Sequence, residues 1–343
     1  MPLIITTKDI TTIECDAIVN PTRSFGLIYG NPCERIHKIA GRKLHRACLK
    51  QYRINKPAFS VGETLVTEAY KLPSKNVIHL LKPAYVDNVE IRNYCLRSCY
   101  KNIFRIVKNN HYLSIAIPLI AEDDEEFSRY EISKIAIDEI KNFLLDTEAL
   151  VYLVVNDRAN IQIGESWRDE LVGYVHEKLF NDSSLWDKWE NTEYACEAID
   201  VLERKLQEPF LLAQCKRPIP VESIVDMLKN MDDNFAVTLL KLIDKKNMND
   251  IECYKKANVS RQTWYKIMND KNYKPSKYTI IAFAIALKLS LDETNALLAT
   301  AGYILSNSDK YDIIISYCIS TKEYDIFAIN EMLFEFDLPL LGV

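Results

Sequence analysis

Short runs rich in Val, Ile, Leu and Thr recur at residues 13–20, 62–67, 77–81, 113–120 and 150–155, and most of the intervals carry apolar residues at helical spacing, as in Ile91 to Val107 and Ile132 to Leu145. Strands of that length alternating with amphipathic helices predict an α/β layer. Its sheet is mixed but mostly parallel, with helices on both faces. Such sheets bind ligands outside the carboxyl ends of their strands, where the chain leaves for a helix. Here those exits follow Val19 and Pro118, so candidate site residues are sought there.

The first exit carries the most specific text. It reads Lys8-Asp9-Ile10-Thr11, then Asp16-Ala17-Ile18-Val19-Asn20-Pro21-Thr22-Arg23-Ser24, then Tyr29-Gly30-Asn31-Pro32-Cys33 through His37 to Ala40-Gly41. Downstream come Gly62-Glu63-Thr64 with Thr67, Tyr70 and Leu72-Pro73, then Val77-Ile78-His79 with Pro83, Cys99-Tyr100, and Ser114-Ile115-Ala116-Ile117-Pro118. In this order and spacing, the text over roughly residues 1–180 resembles a macrodomain. The resemblance implies an ADP-ribose pocket. In it, two glycine-bearing loops present backbone amides to a diphosphate, and a carboxylate near the start of the chain accepts from the adenine amino group. Carried over residue by residue, the ligand-binding candidates are Asp9, Ile10, Asn20, Arg23, Gly30, Asn31, Cys33, Ile120, Ala121 and Asn156.

Both loops depart from the family pattern. Arg23 stands where hydrolytic members carry an asparagine, Cys33 where they carry an aspartate, and Gly30 alone remains of three glycines. A guanidinium cannot serve as a base near neutral pH, and a thiol replaces a carboxylate poorly. The hydrolase machinery is therefore expected to be absent, and no catalytic residue is assigned. In the second loop, Glu122-Asp123-Asp124-Glu125-Glu126 occupies the place of a phosphate cradle. The run reads as a solvated turn, as a pocket preferring a cationic or metal-bridged group, or as a loop that leaves ADP-ribose to other contacts.

Cys33 is read as a structural thiol, since the family also places a histidine at the His37 position. The nine cysteines are scattered and odd in number, which suits a reducing cytoplasm. Cys95 and Cys99 share a helix face without a second ligand pair, so no metal is expected, and no cofactor is expected either. No apolar run is long enough to span a bilayer, and nothing resembles a signal peptide. With 343 residues and a net charge of -5, the chain can hold two cores and is not a globally basic nucleic-acid coat.

Residues 181–232 read as a helical connector, within which the helical spacing of Glu197 to Leu212 is ended by Pro218-Ile219-Pro220. From 233 to 343 the text predicts short helices: Phe235 to Ile243, Ile251 to Ala257, Arg261 to Met268 with Ser260 as N-cap, Tyr278 to Leu287, and one opened by the capping box Ser290 to Glu293. The phrase from Val259 to Glu293 resembles the lambda-repressor-like helix-turn-helix family. Nine Lys or Arg against three Asp or Glu between Lys245 and Lys277 fit a nucleic-acid face. The resemblance implies that Ser260, Arg261, Gln262 and Lys266 meet bases and phosphates, with Lys271 and Lys274 on the backbone. The module is equally open to a protein-interaction reading. The aromatic-rich extension from Ser306 to Val343 is expected to pack on it or to form a homodimer interface.

The reading that follows is a cytoplasmic, regulatory protein of bacterial type. It comprises a non-catalytic sensor of ADP-ribose or a related nucleotide derivative, coupled to a DNA-binding or protein-interaction output. Two alternatives stand beside it. One is an ADP-ribosyl hydrolase with a rearranged site built on Asp16, His37 or an acid of the 122–126 run, and the other is a scaffold whose macrodomain has lost its ligand.

Overall fold

The structure, a computed structural model, describes residues 2–25, 27–54, 60–85, 87–122, 127–156, 234–270 and 273–342. The connector, Lys271 and residues 123–126 of the acidic run lie outside them.

Six strands form one sheet: β1 (Leu3–Thr6), β2 (Ala17–Thr22), β3 (Thr64–Glu68), β4 (Asn76–Leu81), β5 (Ser114–Pro118) and β6 (Leu150–Val154). Their order is β1-β6-β5-β2-β4-β3, and every pairing is parallel except that of β3 with β4. The central strand β2 is buried at all six positions, as a strand covered on both faces must be. Its side chains alternate between two cores. Ile18 joins Ile36, Leu44, Cys48 and Val77 beneath α1 (Cys33–Ala40) and α2 (Arg42–Ile54). Ala17 and Val19 join Leu96, Ile103, Ile135 and Ile140 of α3 (Val89–Asn109) and α4 (Arg129–Asp146) on the other face.

The expected strand over 13–20 starts later. Asp9 caps a 3-10 turn at Ile10–Thr12, and Asp16 turns its carboxylate to the backbone amides of Leu113 and Ser114 at 2.7 and 3.1 Å. Both acids hold the chain in turns, so β-pairing begins at Ala17.

The separate C-terminal region is all helical among the described residues. It comprises α5 (Phe235–Lys245), α6 (Asp250–Lys256), α7 (Arg261–Asn269), α8 (Lys277–Ala286), α9 (Leu291–Ala299), α10 (Lys310–Ser320) and α11 (Ile326–Glu335). Asn234, Asn249, Ser260, Ser276 and Ser290 each cap the following helix by accepting an N–H, and Ser290 with Glu293 closes the capping box. α8 is buried from Thr279 to Ala286 and forms the hub of the bundle. The extension after Ser306 packs on this bundle: Asn330 holds the backbone of Leu341 at 2.7 and 3.2 Å. Gly342 is required there, because a Cβ would lie 2.2 Å from the Ala257 carbonyl oxygen and φ is +77°.

The two regions are tied at the turn between α6 and α7. Asn258, buried at φ +54°, accepts from Leu3 N at 2.8 Å and donates to the carbonyls of Leu3 and Leu341 at 3.2 Å each. It thus satisfies the open edge of β1 with a side chain where a neighbouring strand would otherwise add. Lys141 pairs with Asp325, and the Tyr254 hydroxyl donates to Glu148 at 2.9 Å along the same seam.

Candidate functional site

At the carboxyl ends of β1, β2, β5 and β6 lies a cleft of about 210 Å³. Its walls come from the segment Thr7 to Ile10, from Pro21, from Asn31, Pro32 and Arg35, from Pro118 to Glu122 without Ile120, and from Val154 to Asn156. Five sequence-derived candidates line it: Asp9, Ile10, Asn31, Ala121 and Asn156. The other five do not. Ile120 is fully buried between two lining residues, with its N–H donating to the Tyr100 hydroxyl at 3.3 Å. Asn20 and Cys33 are buried beneath the floor, Gly30 donates its N–H to Glu34 at 3.0 Å, and Arg23 is exposed away from the lining.

Asp9 is fully engaged. One carboxylate oxygen accepts from Thr11 N at 3.0 Å, and the other meets Arg35 at 2.6 Å. Arg35 is mostly exposed, so this bridge joins two lining residues with its basic partner on the solvent side. Opposite, Glu122 is buried and accepts from Asn156 N at 2.8 Å. The first acid of the run is therefore turned inward, contrary to a fully solvated turn. Ala121 sits at φ +68°, an unusual conformation for a residue with a Cβ. It aims the loop so that Glu122 can reach β6.

Sequence reasoning missed Lys8 and Arg35 as lining residues, and placed Glu122 at the second loop without its inward turn. Lys8 and Arg35 stand beside positions that were chosen, but a motif records identities and not which neighbours turn inward. A roomier cavity of about 430 Å³, lined by Lys288, Lys322 and Phe327 among others, lies at the seam between α4 and the helical region, away from the strand ends.

Beneath the cleft's first loop, His37 of α1, Cys48 of α2 and His79 of β4 converge, all buried, with one donor atom of each within 4.8 Å of the others. His79 Nδ1 lies 3.0 Å from Asn20 Nδ2, and Nε2 lies 3.0 Å from Thr67 Oγ1 and 3.3 Å from Cys48 Sγ. Burial, with a smaller contribution from His37, lowers His79 to about 3. Burial and the nearby His45 lower His37 to about 4, and burial pushes the Cys48 thiol up to about 12. Both imidazoles are neutral at pH 7. Asp16, the other acid considered for catalysis, lies at the opposite, amino edge of the sheet and pairs with Lys75 at 2.6 Å. It is structural.

On the helical region, α7 turns Trp264 and Ile267 inward and leaves Arg261, Gln262, Tyr265, Lys266 and Asn269 exposed. Ser260 is engaged as the cap, accepting from Thr263 N at 3.1 Å. Lys274 is exposed and sits 4.8 Å from the Tyr303 ring centroid.

Residues 19–136 match the Macro domain family. The O-acetyl-ADP-ribose deacetylase of Enterobacter sp. (strain 638) is 31% identical over 157 residues, covering 45% of this chain and 87% of that protein. The protein of the same name from Shigella dysenteriae serotype 1 is 32% identical over 160 residues, covering 46% and 89%. A solved structure, the Oceanobacillus iheyensis macrodomain with ADP, is 28% identical with a TM-score of 0.43, covering 51% of this chain and 92% of its own. Through its N-terminal part, the chain belongs to the macrodomain family.

Proposed function

We propose that the cleft binds ADP-ribose or a closely related nucleotide derivative without turning it over, and that the helical region carries the output by meeting nucleic acid through the exposed face of α7. The observation that carries the binding reading is the cleft itself. It opens at the carboxyl strand ends and sets Asp9 beside two cations, Lys8 and Arg35, which suits a ligand joining a hydrogen-bond-donating base to a diphosphate. The names of the two bacterial relatives point to the same ligand class. The non-catalytic reading is supported by Arg23 lying outside the cleft lining and Cys33 being buried, so among the described residues neither position where hydrolytic members carry their asparagine and aspartate presents a base to the cleft.

The cleft is smaller than the usual range of roughly 300–1,000 Å³ for small-molecule sites. Binding therefore begins by opening the Arg35–Asp9 bridge, after which Arg35 is free to meet a phosphate. The helical region's part rests on the exposed Arg261, Gln262 and Lys266, side chains suited to base edges and phosphates.

Calorimetric titration of the chain with ADP-ribose tests the binding reading. Micromolar affinity that falls at least about tenfold in Asp9→Ala is expected, corresponding to the loss of one charged hydrogen bond. Duplex DNA affinity measured with and without the ligand then tests the coupling. Equal affinity of wild type and Asp9→Ala for ADP-ribose overturns the site. The deacetylase relatives favour a second reading as an enzyme, and release of acetate from O-acetyl-ADP-ribose by the wild type would establish it.

A further inference from the structure

We propose that His37, Cys48 and His79 form a buried zinc site beneath the cleft, clamping α1 and α2 to the sheet. Two imidazoles and one thiolate make a borderline-soft donor set, which suits Zn2+ and excludes Mg2+ and Ca2+. The three residues come from three elements, so one ion would crosslink α1, α2 and β4 across the same core.

One donor pair already has the spacing of zinc ligands, and the third donor must close in. Zinc bonds of about 2.0–2.3 Å in a tetrahedron set ligand atoms roughly 3.3–3.6 Å apart. Cys48 Sγ already stands 3.3 Å from His79 Nε2, and the third donor lies within 4.8 Å. A second observation concerns the same residue: His37 is 92% buried, yet its Nδ1 has no hydrogen-bond partner. A buried lone pair without a donor carries a desolvation cost that a metal bond removes.

The surroundings supply the outer support that metal-bound histidine needs. Asn20, fully buried, faces His79 Nδ1 at 3.0 Å. The atom placed there is the amide nitrogen; with the amide flipped, its oxygen accepts from Nδ1–H and fixes the tautomer whose Nε2 lone pair faces Cys48. Thr67 Oγ1 at 3.0 Å from Nε2 is free to rotate its hydroxyl away. On binding, the Cys48 S–H bond breaks and its proton goes to solvent as the sulfur–zinc bond forms.

The full chain, purified without a metal-binding tag and stripped with a chelator, is titrated with Zn2+ in competition with a chromophoric chelator, and separately with Co2+. One Zn2+ per chain and a thiolate-to-cobalt charge-transfer band are expected, both unchanged in Cys95→Ser. Cys48→Ser should remove the band and weaken Zn2+ by at least about 100-fold, more than loss of an outer-shell partner does. No uptake by the wild type, uptake without the charge-transfer band, or loss of the band in Cys95→Ser overturns the site and leaves a hydrogen-bonded polar cluster. The cobalt spectrum of the wild type decides this even if Cys48→Ser fails to fold.

Discussion

Asp9 and Asp16 are seven positions apart in sequence but sit at opposite ends of the same mostly parallel sheet, and they have opposite partners. Asp16 accepts from two backbone amides, Leu113 N and Ser114 N, and from the Ser114 hydroxyl, besides pairing with Lys75. It stitches the starts of β2, β4 and β5 together. Asp9 accepts from one amide of its own turn and holds an exposed arginine. A carboxylate saturated by fixed backbone donors has no capacity left for a ligand. One whose strongest partner is a solvent-facing side chain can exchange that partner, and this separates a strut from a site.

Removing the strut should produce the largest effect. Asp16→Ala leaves the amides of Leu113 and Ser114, at the start of β5, without their acceptor, at roughly 1 kcal/mol for each hydrogen bond lost. Denaturant unfolding should show a loss of about 2 kcal/mol with ADP-ribose affinity of the folded protein unchanged. Asp9→Ala should cost only about 1 kcal/mol as the loss of a turn cap. Burial raises the Asp16 carboxyl, but hydrogen bonds from Lys75 and the Leu113 amide outweigh it and hold it below its ordinary 3.8. Its contribution is therefore present above that value and is lost as the pH falls through the lower folded value. Below pH 3.8 the wild type should lose stability that Asp16→Ala never had. Parallel acid profiles would erase the distinction between the two ends.

Glu122 sharpens the comparison from the cleft side. It is a buried acid at the ligand end, yet it has a structural partner in Asn156 N. Glu122→Gln keeps an oxygen for that amide and removes the charge. At about 8 Å and an effective dielectric near 40, one charge on a ligand phosphate is worth about 1 kcal/mol, so ADP-ribose should bind about fivefold tighter. Weaker binding would mean that Glu122 contacts the ligand as an acceptor and that the second loop has been rebuilt for recognition.

Much of this was legible in the sequence, and the remainder shows where sequence reading stops. The mostly parallel sheet, its two covered faces, the Ser260 cap and the capping box at Ser290 follow from periodicity and local hydrogen-bond chemistry. Asp9, Ile10, Ala121 and Asn156 were placed in the cleft by motif position. Asn20 and Cys33 were placed there by motif position as well, but alternation on β2 and the first turn of α1 bury them. The Arg35–Asp9 bridge, the inward turn of Glu122 and the seam at Asn258 each join residues 26, 34 and 255 positions apart. The His37, Cys48 and His79 cluster was missed for the same reason: its members have no motif spacing and meet only when α1, α2 and β4 pack.

The smallest effect should come from Lys75→Ala, and it isolates what makes Asp16 a strut. Lys75 is largely exposed, and its bond to Asp16 is short at 2.6 Å. Short exposed ion pairs contribute little, because water and salt screen them and a flexible side chain must be ordered to make them. If the backbone amides carry the effect, Lys75→Ala should melt close to the wild type, and the difference should vanish as salt is raised. The double variant with Asp16→Ala should then unfold like Asp16→Ala alone. A Lys75→Ala loss as large as that of Asp16→Ala would place the stabilisation in the ion pair instead. The contrast between the two aspartates would then rest on charge rather than on backbone satisfaction.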